Sequence, residues 1–266
     1  MSGRLRISLI VAVLALIAAG SVVGVTLATR QTPQQPKAQP GSPPLGPTLP
    51  TPAAAQIRLA YKEWPKGSVD TMERLGHEYP SDPVVQLYRG IALLWAGYPN
   101  DAEDVLRAAK KVGRDTPWEA QADSVLHPQY QVGYPSFRPT APNALLEQGA
   151  RLQAEGKQHA ALRVFERAAR LQPGNDEAQV AVAVAHFDKD NLNASFSRLG
   201  PLTRTFPRSQ SVRFYLGLLL AWTGQRDSAI AQFRKAVALG PRTELGRGAA
   251  QFLASVHAGG TGSSKK

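Results

Sequence analysis

The sequence predicts an all-α protein, and two observations predict that class. Apolar residues recur at i, i+3, i+4 and i+7 through most of the chain, as in residues 85–94, and this spacing places them on one face of a helix. Three prolines, Pro173, Pro207 and Pro241, are spaced by 34 residues, which indicates an internal repeat. No strand pattern of alternating apolar and polar residues competes with the helical period. We therefore expect a repeat built from helices.

The N-terminal segment is predicted to be a membrane anchor. Residues 7–28 contain no charged residue. As a helix they would be roughly 33 Å long, enough for a hydrocarbon core of about 30 Å and longer than the apolar region of a cleaved signal peptide, which is the alternative. Basic residues within 1–6 precede the span, so we expect a single-pass signal-anchor with a cytoplasmic N-terminus and an extracytoplasmic remainder. Gly20 and Gly24 form a GxxxG pair that could join two spans in a homodimer.

Residues 29–54 are predicted to be a Pro-rich disordered linker. The stretch 31–54 holds eight of the 21 prolines, and most of its other residues are Gln, Ser, Thr and Gly. A segment of this composition cannot bury a core. We expect it to be extended and to hold the folded part of the chain away from the membrane.

The 34-residue repeat has the composition of a helical hairpin. Residues 142–175 and 210–243 each place a Gly in a first helix, a Gly at a turn, an Ala-x3-Phe-x2-Ala series in a second helix and a closing Pro. Small residues let two helices approach closely, the Phe fills the remaining space, and the Pro ends the second helix. This pattern resembles the tetratricopeptide repeat (TPR), and the resemblance implies an α-solenoid of stacked hairpins. Residues 176–209 keep the phase, but Pro201 is expected to kink or break their second helix.

A second symmetry divides the chain into two modules. A shift of 127 residues aligns residues 79–110 with residues 206–237. Each aligned segment is followed by one extra helical segment, where TPR arrays usually carry a capping helix. The predicted parts are a TPR-like module at 55–127, an aperiodic loop at 128–141, a second module of three hairpins at 142–257, and a flexible tail at 258–266.

No catalytic, metal or cofactor motif stands out. The absence of Cys excludes disulfides, Cys-ligated metals and thiol catalysis. The five His residues lack helical ligand spacing, and there is no GxSxG motif or phosphate-binding loop. The net charge of +11 invites a nucleic-acid interpretation, but six of the basic residues lie in 1–50 and 265–266, and aromatic residues are not interleaved with the Arg-rich helix faces. We expect no enzymatic activity, no cofactor, no metal and no nucleic-acid partner.

The TPR resemblance implies a partner-binding face. In that family the first helices line a groove, and residues outside the structural consensus contact a protein or peptide partner. The corresponding positions here are apolar and aromatic, which suits an amphipathic helix or an extended apolar peptide. The alternative is that these side chains pack against neighbouring hairpins. The candidate partner-binding residues are Leu87, Tyr88, Ile91, Trp95, Val184, Phe187, Phe214, Tyr215, Leu218 and Trp222.

The whole arrangement predicts a membrane-anchored, non-enzymatic protein–protein interaction scaffold. An anchor followed by external repeats is similar to bacterial envelope assembly and quality-control factors, and the Ala-, Arg-, Gly- and Pro-rich composition fits a bacterial source. One alternative is a regulatory or accessory subunit of an envelope enzyme complex, for example in c-type cytochrome maturation. The other is a cytoplasm-facing TPR adaptor.

Overall fold

The computed structural model describes residues 41–260, with side chains described as far as residue 256. Over this range the chain forms twelve helices and no strand, so the all-α prediction is confirmed. None of the helices in the described range is long and apolar enough to cross a membrane. The predicted anchor at 7–28, with Gly20 and Gly24, lies outside the described residues.

The chain divides into two compact units between Gly133 and Tyr134. The predicted loop at 128–141 is therefore shared between the units, and its second half belongs to unit 2. Unit 1 contains two hairpins and a final helix, and each helix packs against the next one along the chain. Its helices are α1 (Ala54–Lys62), α2 (Ser68–Glu78), α3 (Pro83–Ala96), α4 (Pro99–Val112) and α5 (Pro117–Leu126).

Unit 2 contains three hairpins and a final helix. Each helix again packs against its successor; in addition, α8 packs on α10, and α10 packs on the final helix α12. This is the packing of stacked hairpins, as the repeat predicts. The helices are α6 (Ala144–Ala154), α7 (Gln158–Leu171), α8 (Asp176–Ala185), α9 (Asn193–Thr205), α10 (Gln210–Trp222), α11 (Arg226–Leu239) and α12 (Glu244–Gly260).

First and second helices of the hairpins begin differently. The side chain before α3, α6, α8 and α10 accepts a hydrogen bond from the first turn, which satisfies a backbone N–H that has no helical partner. The second helices of four hairpins instead follow a tight turn in which a glycine has positive φ. The capping residues are Asp82, Asn143, Asn175 and Ser209, and the turn glycines are Gly67, Gly97, Gly156 and Gly224.

Glycines in the first helices face large side chains of the second helices, as the repeat predicts. A Cβ atom on Gly149 would lie 2.2 Å from the ring of Phe165, and a Cβ atom on Gly217 would lie 3.1 Å from the ring of Phe233. Both rings are at most 1% exposed. The absence of a side chain on the first helix therefore makes the space in which each Phe of the second helix packs.

Pro201 does not break the helix that contains it. Helix α9 continues through Pro201 to Thr205, although a break or kink is expected from the sequence. Pro201 lies on the exposed side of the helix, where water can satisfy the carbonyl group that loses its helical donor.

The C-terminal part of the segment predicted to be a disordered linker is packed against helices in the structure. The described part of that stretch, residues 41–53, packs on unit 1 up to the start of α1, and Leu49 is only 7% exposed within the core. Leu45 also packs against this core. These two leucines supply apolar area that the Gln-rich part at 31–40 does not have.

Candidate functional site

The ten candidate partner-binding residues lie on or directly after three first helices, α3, α8 and α10, and most of them are buried. Seven are at most 5% exposed and belong to the hydrophobic cores, so a partner cannot reach them in this conformation. The side chains of these seven residues pack within the fold, which was the alternative to partner binding. The buried residues are Leu87, Tyr88, Ile91, Trp95, Val184, Phe187 and Tyr215; the half-buried ones are Phe214, Leu218 and Trp222.

An extended segment of the chain itself covers part of the first-helix face in unit 2. We name residues 134–141 the unit-2 strap. Pro135 and Phe137 are buried, whereas Ser136 and Arg138 are exposed, which is the alternation of an extended chain with one side on a surface. The strap therefore lies on the helices as a bound peptide would.

Phe137 is the anchor of the unit-2 strap. Its side chain is 1% exposed, and its ring lies 5.6 Å from that of Phe165 and 5.1 Å from that of Tyr215, measured between centroids. Its backbone N–H donates to Oε1 of Gln153, at the end of α6, over 2.8 Å. The anchor thus combines an aromatic pocket with a polar contact to the backbone.

Two further first helices bind the strap by hydrogen bonds. The Tyr215 hydroxyl on α10 accepts from the N–H of Arg138 at 2.8 Å and donates to the carbonyl of the same residue at 3.1 Å. On α8, the Glu177 carboxylate accepts from the N–H of Thr140 at 3.0 Å and also from its hydroxyl group. Each of the three first helices of unit 2 therefore contributes one polar side chain to the strap.

Unit 1 has a strap of the same kind. Residues 42–52, the unit-1 strap, precede α1 and place the N–H of Gly46 3.0 Å from the Tyr88 hydroxyl, which accepts the hydrogen bond. The hydroxyl of Thr51 donates to Oδ2 of Asp82, the capping residue of α3, over 2.6 Å. Together with buried Leu49, these contacts hold the strap on the first-helix face of unit 1.

The two straps share two kinds of contact. Tyr88 and Tyr215 are related by the shift of 127 residues, and each accepts a hydrogen bond from a strap N–H. Thr51 and Thr140 each follow a proline, lie just before the first helix of their unit and donate to a carboxylate at the N-terminus of the next first helix. A tyrosine hydroxyl and a carboxylate therefore hold a strap in both units, although both belong to α3 and its capping residue in unit 1 and to α10 and α8 in unit 2.

Three of the ten candidates are half-buried apolar side chains on α10. Phe214, Leu218 and Trp222 are spaced by four residues on one side of α10, and we name them the α10 row. The Trp222 ring meets that of Phe187 edge to face, with centroids 5.9 Å apart. Among the ten candidate residues, these three are the ones that are not fully buried, and the Phe214 ring also packs on that of Phe233 on α11.

Burial raises the pKa of both strap-binding tyrosines. For Tyr215 loss of solvation is the largest cause, opposed by the hydrogen bond to Arg138 and reinforced by the charge of Glu177. For Tyr88 loss of solvation again dominates, opposed by the hydrogen bond from Gly46. Both hydroxyl groups are therefore held neutral, and the Tyr215 hydroxyl keeps the proton that it donates to the Arg138 carbonyl.

These shifts predict a loss of stability at alkaline pH. Because the pKa of Tyr215 is raised in the folded state, the unfolded chain loses its proton first, and stability falls as pH rises above about 10. Urea unfolding between pH 8 and 11 should show this decline, with a shallower slope in Tyr215→Phe. Tyr98→Phe is the matched control, because Tyr98 is 52% exposed. Equal slopes for wild type and Tyr215→Phe would contradict this assignment.

Two of the residues that bind the straps, Tyr88 and Tyr215, are among the candidates from the sequence, whereas the others are not. Gln153 and Glu177 lie on first helices but are polar, and Phe137 lies in a segment assigned to a loop. The one shared sequence feature is a Pro-Thr pair shortly before the first helix of each unit, at residues 50–51 and 139–140, and it is a weak signal because residues 47–48 form the same pair.

Comparisons with known proteins give little further information. No family model matches the chain, and no curated protein matches it. Among solved structures, one described as "Crystal structure of YrrB: a TPR protein with an unusual peptide-binding site" is similar at 16% sequence identity and a TM-score of 0.33, covering 75% of this chain and 92% of that chain. At this level of similarity, the assignment of helical hairpins rests on the packing of this chain's own helices.

Proposed function

We propose that the protein is a non-enzymatic protein-interaction scaffold of the TPR type, whose first-helix faces bind extended segments. One observation carries this proposal: each unit already holds an extended segment of its own chain on that face, through an equivalent tyrosine hydroxyl. A surface that binds backbone N–H and C=O groups together with an apolar side chain is suited to peptides in general.

The α10 row is the proposed contact surface for a partner. Its three apolar side chains are half-buried in the absence of a partner, so a partner would gain apolar area by covering them. Aromatic residues in such positions are frequent anchors of protein interfaces. The Trp222 ring of the row is held in place by its edge-to-face contact with the buried Phe187.

We further propose that residues 7–28 anchor the scaffold in a membrane, with the repeats on the extracytoplasmic side, as in bacterial envelope assembly or quality control. The uncharged span and the basic residues before it support this placement. Carbonate-washed membranes should retain the full-length chain, and a reporter fused after Lys266 should report an extracytoplasmic C-terminus. A soluble product that begins near residue 29 would contradict the anchor. Pairing of two spans through Gly20 and Gly24 remains part of this proposal.

Photo-crosslinking in intact membranes tests the interaction role. A photoreactive amino acid replaces Trp222 in one variant and Leu239 in another, because Leu239 lies on a second helix and is 41% exposed. We expect a discrete crosslinked partner from position 222 and none from position 239. Identical products from both positions would indicate nonspecific capture and would contradict binding on the first-helix face.

Once a partner is identified, Trp222→Ala should weaken its binding by about 2 kcal/mol or more, as loss of an aromatic anchor does. The cost to stability should be smaller, about 1 kcal/mol, because Trp222 is only half-buried and its main ring contact is the pair with Phe187. A binding titration and a thermal melt measure the two effects. Leu239→Ala is the control, and it should change neither.

A Trp222→Ala chain that is strongly destabilised, but whose folded fraction binds normally, would place this residue in the core alone. That result would remove the α10 row from the proposed site.

A further inference from the structure

The unit-2 strap shows which chemistry its binding face selects. The face presents an aromatic pocket that holds the Phe137 ring. It also presents the Tyr215 hydroxyl, which accepts from the N–H and donates to the C=O of residue 138, and the Glu177 carboxylate, which accepts from residue 140. Tyr215 is 2% exposed and Glu177 is 8% exposed. Buried polar groups of this kind are costly to leave unsatisfied, so any segment that replaces the strap must supply the same donors and acceptor.

The polar contacts are specific in spacing as well as in type. Phe137, the aromatic anchor, and Thr140, the hydroxyl donor, are three residues apart. Arg138 lies between them and contacts Tyr215 only through its backbone N–H and C=O groups. Arg138 itself is exposed, so its side chain is not selected by the face. Proline at position 139 favours the extended conformation and lowers the entropy lost on binding.

We propose that the unit-2 strap occupies the place of a partner segment of the same chemistry: extended, with an aromatic residue followed three positions later by Thr or Ser. The partner displaces the strap, which acts as a tethered competitor. This inference rests on the proposed function and names both the class of partner segment and the device that limits its binding. A competitor joined to the same chain lowers the apparent affinity in proportion to the fraction of faces that it occupies.

A synthetic peptide with the strap's own sequence, GYPSFRPTAPN from residues 133–143, is the probe. It is labelled with a fluorophore and titrated with the full-length chain. The substitution Thr140→Val is made in the chain and not in the peptide. It weakens the binding of the strap to its own face, because it removes the hydroxyl group that donates to Glu177 and keeps the side-chain shape. Ser136→Ala is the matched control, because Ser136 is an exposed strap residue.

We expect Thr140→Val to bind the peptide at least tenfold more tightly than wild type, and Ser136→Ala to bind it as wild type does. A peptide that carries Val in place of its own Thr should lose this advantage. Glu177→Leu in the chain should remove the difference between the two peptides, because Leu offers no acceptor to the Thr hydroxyl. Equal affinities of wild type and Thr140→Val would overturn the proposal.

A second measurement does not depend on a destabilising change. Because the chain has no Cys, Ser136→Cys allows a single spin label on the exposed side of the strap. Addition of the peptide should mobilise the label as the strap leaves the face. Saturating peptide that leaves the label immobile would show that the strap stays in place, and would overturn the proposal.

The outcomes also separate this inference from the proposed function. Crosslinking of a partner at position 222 without strap release leaves an interaction scaffold whose strap is permanent. Strap exchange by the peptide without any crosslinked partner supports the binding chemistry and removes the support for a scaffold at the α10 row.

Discussion

Phe137→Ala is expected to destabilise unit 2 by about 3–5 kcal/mol, the usual cost of removing a buried Phe side chain. The ring is 1% exposed and lies between those of Phe165 and Tyr215, so the change leaves a cavity lined by two aromatic rings. Urea unfolding followed by circular dichroism measures the effect. A loss of this size is expected because Phe137 belongs to the hydrophobic core of unit 2, although the sequence of residues 134–141 resembles that of a loop.

The matched control is Leu171→Ala, which removes a large apolar side chain that is 65% exposed on α7. It should cost less than about 0.5 kcal/mol, as surface substitutions usually do. If the two variants were equally stable, Phe137 would not be packed in solution, and the strap would not be a bound segment.

Gly149→Ala is expected to destabilise the first hairpin of unit 2 strongly. A Cβ atom at this position would lie 2.2 Å from the ring of Phe165. The ring cannot move away easily, because it is fully buried and has Phe137 beside it. We expect a cost at the upper end of the 1–3 kcal/mol typical of overpacking, about 3 kcal/mol, which exceeds the gain of about 1 kcal/mol from replacing Gly by Ala within a helix.

The equivalent change in the last hairpin, Gly217→Ala, is the comparison. Its Cβ atom would lie 3.1 Å from the ring of Phe233, so a small shift of the ring relieves the contact. We expect this variant to lose at least 1 kcal/mol less than Gly149→Ala in thermal or urea unfolding. A Gly149→Ala chain as stable as the Gly217→Ala chain would contradict the packing described for α6 and α7.

The hairpins were predictable because their signals are local and repeated. The Gly at 149, the turn Gly at 156 and the Phe at 165 lie within one 34-residue period, and the same residue types recur at 217, 224 and 233. Each of these residues acts within its own hairpin, so spacing along the sequence is enough to assign it. The degenerate hairpin of α8 and α9 was also predicted, because residues 176–209 keep the 34-residue spacing of the repeat. The expected break at Pro201 does not occur in α9.

The straps were not predictable from the same kind of signal. Proline-rich stretches are usually disordered, and residues 134–141 have no helical period, so composition favoured a linker and a loop. What holds the straps is complementarity to residues far along the chain, such as the pair of Arg138 and Tyr215, which are 77 positions apart. The burial of Tyr88 and Tyr215 has the same origin, and for this reason the TPR resemblance overestimated how much of the first-helix face is open.

Amide hydrogen exchange of the unit-2 strap in the free chain tests the central claim most directly. The N–H groups of Phe137, Arg138 and Thr140 each donate to a side chain on a different first helix, whereas the N–H of Ser136, on the same strap, serves as an internal reference. We predict that these three amides exchange at least about tenfold more slowly than that of Ser136, and that Tyr215→Phe accelerates the exchange of Arg138 most. Exchange of all four at the rate of an unstructured peptide would contradict a first-helix face that binds an extended segment.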